Sequence, residues 1–289
     1  MKTIIYATDY SKNSEAAFRY ALYLMESMNA RLIVSHVFGY PTVLGTPVQE
    51  PFPDLEADAF RSHSGQLRDF VKRVTGRLPG EFSGMETRPL ESKNVTRALS
   101  ELCDGESSWL LVTGMRGGSK TRELLMGRVA RGLIESAPCP VLSIPSDESH
   151  YRLETLVYAT DFEAADLAVV RWLAEFTETM GAKLQVVHIS PQKEHAVLQR
   201  SQWFRQQLSE VLVREDIGFD ILHSNHIFDK LRIYLGDSGA DMVAMLEREK
   251  NGFLRAVFHR DMVKHMEAYG RIPLLAFHES NFRAATAPM

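Results

Sequence analysis

The sequence predicts an α/β protein made of two doubly wound, five-stranded parallel sheets, one in each half of a 289-residue chain. Three observations carry this prediction. Short β-branched runs alternate with longer amphipathic runs, the pattern of parallel strands joined by crossover helices. The opening IIYATDY at Ile4–Tyr10 recurs as LVYATDF at Leu156–Phe162. His36-Val37 recurs as His188-Ile189 at the same spacing of 152 residues, so strand, helix and strand repeat in register.

In the first half, strand 2–8 leads into a helix over 14–28, where Ala17, Ala21, Leu24 and Met28 form one apolar stripe. The 152-residue spacing turns that stripe into Val169, Leu173, Phe176 and Met180. Then follow strand 31–38, a Pro- and Gly-rich surface excursion at Gly39–Pro53, helix 55–77, strand 84–91, helix 94–104, strand 109–114, helix 123–136 and strand 140–145. The second half reads 154–160, 163–180, 183–190, 195–215, 218–224, 228–237, 241–246, 256–268 and 272–277 in the same order. Cys139-Pro140-Val141-Leu142 answers to Ile272-Pro273-Leu274-Leu275 at a spacing of 133, so the second copy is shorter in its middle, as loss of the 39–53 excursion requires. Pro138, Pro140 and Pro273 lack the ladder donor, which puts the last strand of each copy at a sheet edge. The expected domains are 1–147 and 151–279, with a tail over 280–289.

Composition bounds the function. The chain is 45% hydrophobic and 24% charged, ordinary values for globular protein with room for two cores. Residues 1–145 carry 17 basic against 16 acidic side chains and the rest 16 against 21, which excludes a general nucleic-acid binder. No apolar run spans a bilayer and no leader precedes the first strand, so no membrane role and a cytoplasmic location are expected. Cys103 and Cys139 read as buried free thiols.

Chemistry belongs where the sheet order reverses, because loops leaving two adjacent strands diverge there. Two loops of the first half suit that place. One carries Asp9, and the other runs from Gly114-Met115-Arg116-Gly117 to Gly127 and Arg128 at a helix start. Glycines let backbone amides approach an oxyanion, and a helix N-terminus adds unpaired N–H groups and a favourable dipole. Arg116, Lys120, Arg122, Arg128 and Arg131 against Glu123 alone make a polyphosphate cradle. His223 and His226 read as a solvated loop rather than a metal site, and His36 and His188 as hydrogen-bonded core-edge residues rather than bases. Neither G-x-S-x-G nor a complete Walker sequence occurs, so no catalytic residue is assigned.

Both halves resemble universal stress protein domains in tandem, through Thr-Asp after strand one, His-Val after strand two and the run GMRGGS-x7-MGRVARGLIESAPCPVLSIP. The resemblance implies strand order 3-2-1-4-5 in each half and pseudo-twofold pairing of the halves along their last strands, with further homodimerisation open. It also implies ATP or a related adenine nucleotide, with Mg2+, held by the glycine motif and by first-strand Asp and second-strand Val. Carried over, those positions are Asp9, Val37, Gly114, Gly117 and Gly127, with Arg116 in the loop. The motif's hydroxyl is replaced by Arg128, which either grips phosphate as a bidentate fork or blocks the cradle. The second copy places Leu246 or Glu247 opposite Gly114, and the acidic residues of 246–250 fall where phosphate would sit. It is expected to be a degenerate partner in which Asp161 keeps a structural role. Two functions follow: a nucleotide-binding stress-response protein read by a protein partner, with at most slow ATP hydrolysis, or an adaptor without nucleotide.

Overall fold

A computed structural model describes residues 1–39, 53–115, 126–146, 151–191, 195–212, 216–248 and 272–282. The first half runs β1 (Thr3–Ala7), α1 (Lys12–Met28), β2 (Arg31–Phe38), α2 (Pro53–Thr75), β3 (Met85–Glu91), α3 (Val95–Gly105), β4 (Leu110–Gly114), α4 (Arg128–Ser136) and β5 (Val141–Ile144). The second runs β6 (Thr155–Ala159), α5 (Ala164–Met180), β7 (Lys183–Ser190), α6 (His195–Val211), β8 (Gly218–His223), α7 (Ile227–Asp237), β9 (Met242–Glu247) and β10 (Leu274–His278). The helix expected over 256–268 lies outside the described residues, as does most of the 39–53 excursion.

Ten strands form one sheet in the order β3-β2-β1-β4-β5-β10-β9-β6-β7-β8. Each half therefore shows the order 3-2-1-4-5, with its strands parallel. The halves join where β5 and β10 run antiparallel, pairing Val141 with Ala276, Leu142 with Leu275 and Ser143 with Leu274. Leu142 and Leu275 are equivalent positions of the two copies, so the pseudo-twofold relation passes through that pair. The prolines behave as expected: Pro140 and Pro273 sit just before their strands and contribute only carbonyls, to Leu111 N at 3.0 Å and Val243 N at 3.0 Å. The two last strands are edges of their own half-sheets and cover one another.

Alternation along the strands sorts the core into two layers. Ile4 and Tyr6 point to the face carrying α1, α2, α5 and α6, where Phe18, Phe70, Phe176 and Phe204 are buried. Ile5 and Ile33 point to the face of α3, α4 and α7, with Leu99, Leu133 and Leu231. The repeat extends to its stops: α1 ends at Asn29 and α5 at Gly181, both left-handed C-caps 152 residues apart. Trp109 and Trp172 stack across the junction of the halves with ring centroids 4.2 Å apart, and Lys2 Nζ lies 4.3 Å from the centre of the Trp109 ring.

The register also locates the deletion. Ile33 pairs with Glu86 and its equivalent Gln185 with Gly218, so the spacing drops from 152 to 132 between the second and third strands of the copies. It returns to 133 only at β10. Leu246, not Glu247, is therefore the residue opposite Gly114. Element boundaries differ from expectation by up to five residues, and the helix expected over 195–215 ends at Val211. The helix placed at 123 begins at Arg128, because Gly127 sits at φ −64° and ψ 156° as its N-cap. Among the described residues, no helix is long and apolar enough to cross a membrane.

Candidate functional site

Strand β1 has β2 on one side and β4 on the other, so the loops after β1 and β4 part and leave a crevice at their carboxyl ends. A cavity of about 340 Å3 occupies it. Ala7, Ser35 and Thr113 form its floor, Val37, Val95 and Leu99 an apolar wall, and Asp9, Gly114 and Arg128 its rim. The first turn of α4 closes the remaining side with Gly127, Val129 and Ala130. Five of the seven residues expected from the sequence, Asp9, Val37, Gly114, Gly127 and Arg128, thus converge on one cavity. Arg116 and Gly117 lie outside the described residues, as do Lys120 and Arg122.

Helix α4 is positioned by Gly127, whose N–H reaches Met115 O at 2.9 Å and whose carbonyl accepts from Arg131 N at 3.1 Å. Glycine has no side chain to cap the helix, and no side-chain cap bond is made. By contrast, α3 is capped by Asn94, which accepts from Arg97 N at 3.0 Å. The uncapped first turn keeps the partial positive charge of a helix N-terminus at the cavity wall. Arg128 is exposed at the first helical position. It makes no ion pair among the described residues.

Asp9 belongs both to a turn and to the cavity lining. Its Oδ1 accepts from Ser11 N at 3.1 Å and Ser11 Oγ at 2.6 Å, an Asx turn that sets the start of α1. The same residue lines the cavity. His36 supports this loop from below, its Nδ1 being 2.7 Å from Thr8 O. A carbonyl only accepts, so Nδ1 carries the proton. Burial holds the His36 pKa below the usual histidine value, a shift that the Thr8 bond opposes. His188 repeats the contact with Thr160 O at 2.7 Å. Both histidines are hydrogen-bonded structural residues, as the sequence implied. His223 ends β8 and His226 precedes α7, both exposed. Cys103 and Cys139 are buried free thiols, and their mutual contact together with burial raises the Cys139 pKa.

The second half has a cavity at the equivalent place, reduced to about 50 Å3. Ala159, Thr160, Asp161, Val187, Ile189, Ile227 and Leu231 line it, each the counterpart of a residue lining the first. Larger side chains stand at four equivalent positions: Val187 replaces Ser35, Ile189 replaces Val37, Met245 replaces Thr113 and Leu246 replaces Gly114. Glu249 lies outside the described residues. Acidic side chains gather beside the smaller cavity and Arg248 turns in among them, its side chain only 12% exposed. Its Nη1 pairs with Asp161, its Nη2 lies 2.9 Å from Asp166 Oδ2 and its Nε 3.6 Å from Glu163 Oε2. Asp166 also accepts from Tyr158 Oη and from Glu163 N, the latter at 2.9 Å. Three carboxylates entering α5 attract the nearest cation, a signal that the acidic run Asp161, Glu163, Asp166 already contained. The floor residues Ser35 and Thr113 were missed, because within an apolar strand a hydroxyl has no signature of its own.

A doubly wound parallel sheet, with a pocket at its switch point and a helix N-terminus beside it, places the chain in the α/β class. Residues 1–145 match the universal stress protein family, and the chain belongs to that family. The "universal stress protein in QAH/OAS sulfhydrylase 3′region" of Thermus aquaticus is 28% identical over 144 residues, 50% of this chain and 98% of its own length. The crystal structure of a universal stress protein from Archaeoglobus fulgidus DSM 4304 is similar over 96% of both chains, with 14% identity and a TM-score of 0.65. A Pseudomonas aeruginosa UCBPP-PA14 structure assigned to the same family covers 99% of this chain and 96% of its own, at 10% identity and a TM-score of 0.63. At such identities the two structures speak for the fold.

Proposed function

We propose that the first half, residues 1–147, binds ATP or a related adenine nucleotide with Mg2+, and that residues 151–279 form a second universal stress protein domain that has lost the site. The carrying observation is the pair of equivalent cavities, about 340 Å3 against about 50 Å3. The larger is of ligand size; the smaller has little more than the room of a water molecule or two. Val37, Val95 and Leu99 suit the face of a base, and the uncapped turn of α4 suits phosphate. Arg128 makes no ion pair among the described residues at that turn, and grips phosphate rather than blocking it. In the second half the guanidinium of Arg248 is already engaged by the carboxylates of the loop. Nucleotide held in the first half stabilises a conformation that a protein partner reads.

Calorimetric titration of MgATP into the whole chain tests this reading. One site per chain is expected. Gly127→Asp supplies an internal carboxylate cap to α4, keeps the fold and abolishes binding. No heat and no thermal shift at millimolar ATP would sink the nucleotide reading and leave the adaptor function.

A further inference from the structure

Strand register aligns four residues across the sheet at the level of the cavity: Ser35 on β2, Ala7 on β1, Thr113 on β4 and Ser143 on β5. Ile33, Ile5, Leu111 and Val141, each two residues earlier, all pack on the face of α3 and α4. Alternation therefore directs the row to that face as well. The equivalent row of the second half reads Val187, Ala159, Met245 and Ala276. Where the second half is wholly apolar, the first keeps three hydroxyls.

Ser35 is the informative one. It is 0% exposed, it lines the cavity, and its Oγ has no hydrogen-bond partner among the described residues. A buried hydroxyl without a partner costs stability, and an apolar side chain at this position, as in the second half, avoids that cost. Thr113 Oγ1 has only a 3.5 Å contact with Gly114 O, and Ser143 does not line the cavity. Ser35 also lies two strand spacings, about 10 Å, from Thr113, on the side away from the α4 terminus. Its cavity neighbours there are the apolar Val37 and Leu99. A group flat and apolar on its faces and polar at its edge fits that end.

We infer that Ser35 is the specificity-determining residue of the cavity: its hydroxyl hydrogen-bonds the edge of a heteroaromatic base packed against Val37 and Leu99. The inference rests on the nucleotide reading of the first half. Val187 has no such hydroxyl, which gives the second half a chemical as well as a steric reason to refuse the base.

Titration of ATP and of GTP into wild type, Ser35→Ala and Ser35→Val tests it. Ser35→Ala is expected to weaken ATP about 5- to 10-fold and to shift the ATP-to-GTP ratio of dissociation constants at least about threefold, because the two bases present different edges. Its unliganded thermal midpoint should equal or exceed that of wild type. Ser35→Val, which also fills the floor, should weaken ATP further. The inference is overturned if Ser35→Ala binds ATP within about twofold of wild type, or loses both nucleotides equally. A lower unliganded midpoint would overturn it too, since the hydroxyl would then have a partner inside the protein. Silence of the wild type toward ATP is a different failure: it removes the nucleotide reading and this assignment with it.

Discussion

Asp166 and Arg248 form an ion pair 2.9 Å long in the second half, where the equivalent residue of the first half is Ser14, which lines the cavity there. Ser14 needs no counter-charge: its Oγ reaches Ser11 O at 2.7 Å and lies 3.0 Å from Thr8 Oγ1. A carboxylate at the same depth is tolerable only with a cation beside it and hydrogen bonds on its remaining lone pairs. Arg248, Tyr158 Oη and Glu163 N supply these.

Removing the cation should therefore be costly. Arg248→Met is expected to destabilise the chain by about 3 kcal/mol at pH 7, because it leaves Asp166 buried without its counter-ion. Urea denaturation measures the loss. A variant as stable as wild type would mean that Asp166 is protonated at neutral pH without help.

Stability should carry a pH signature at the same residue. Burial raises the Asp166 pKa above the ordinary 3.8, with Arg248 and the hydrogen bonds opposing the shift. The folded chain then holds this proton more tightly than the unfolded chain. Its contribution to stability is greatest below 3.8 and falls as pH rises through the raised pKa. Asp166→Asn, which cannot titrate, should gain on wild type as pH rises from about 4 to 7 in matched urea melts. A constant difference between the two proteins would refute the coupling.

Filling the first cavity should reproduce the state of the second. Thr113→Met copies Met245 onto the floor between Ala7 and Ser143. Calorimetry is expected to show loss of MgATP binding, while thermal melts show a shift of no more than a few degrees. Retained affinity would place the ligand elsewhere.

Arg128 puts a cation at the positive end of α4, an unfavourable position unless an anion is near. Arg128→Ser should leave the unliganded protein equally stable or a few tenths of a kcal/mol more stable. MgATP affinity should fall about tenfold, with a weaker dependence on salt. Tighter binding by the variant would mean that the guanidinium obstructs the cradle.

Much of the fold was legible because it is duplicated. Strand 31–38 and helix 163–180 came within one residue of β2 and α5, since each apolar stripe appears twice and the copies confirm one another. The start of α4 was misplaced by five residues, because the sequence upstream of Gly127 is as compatible with helix as the helix itself. Asp9, Val37, Gly114, Gly127 and Arg128 were legible through glycine spacing and family resemblance. Ser35 and Arg248 were not, because their significance depends on what lies across the sheet: a missing partner for one and three gathered carboxylates for the other. Neither relation has a fixed distance along the chain.

The antiparallel seam of β5 and β10 has one more consequence. Pairing through last strands joins two surfaces that, on separate chains, would part on dilution; here both belong to one polypeptide, so their encounter is intramolecular and independent of protein concentration. The strand that would otherwise recruit a second molecule is already occupied. Among the described strands only β3 and β8 still present an open edge. The second half thus keeps its place in the assembly whether or not its crevice takes a ligand.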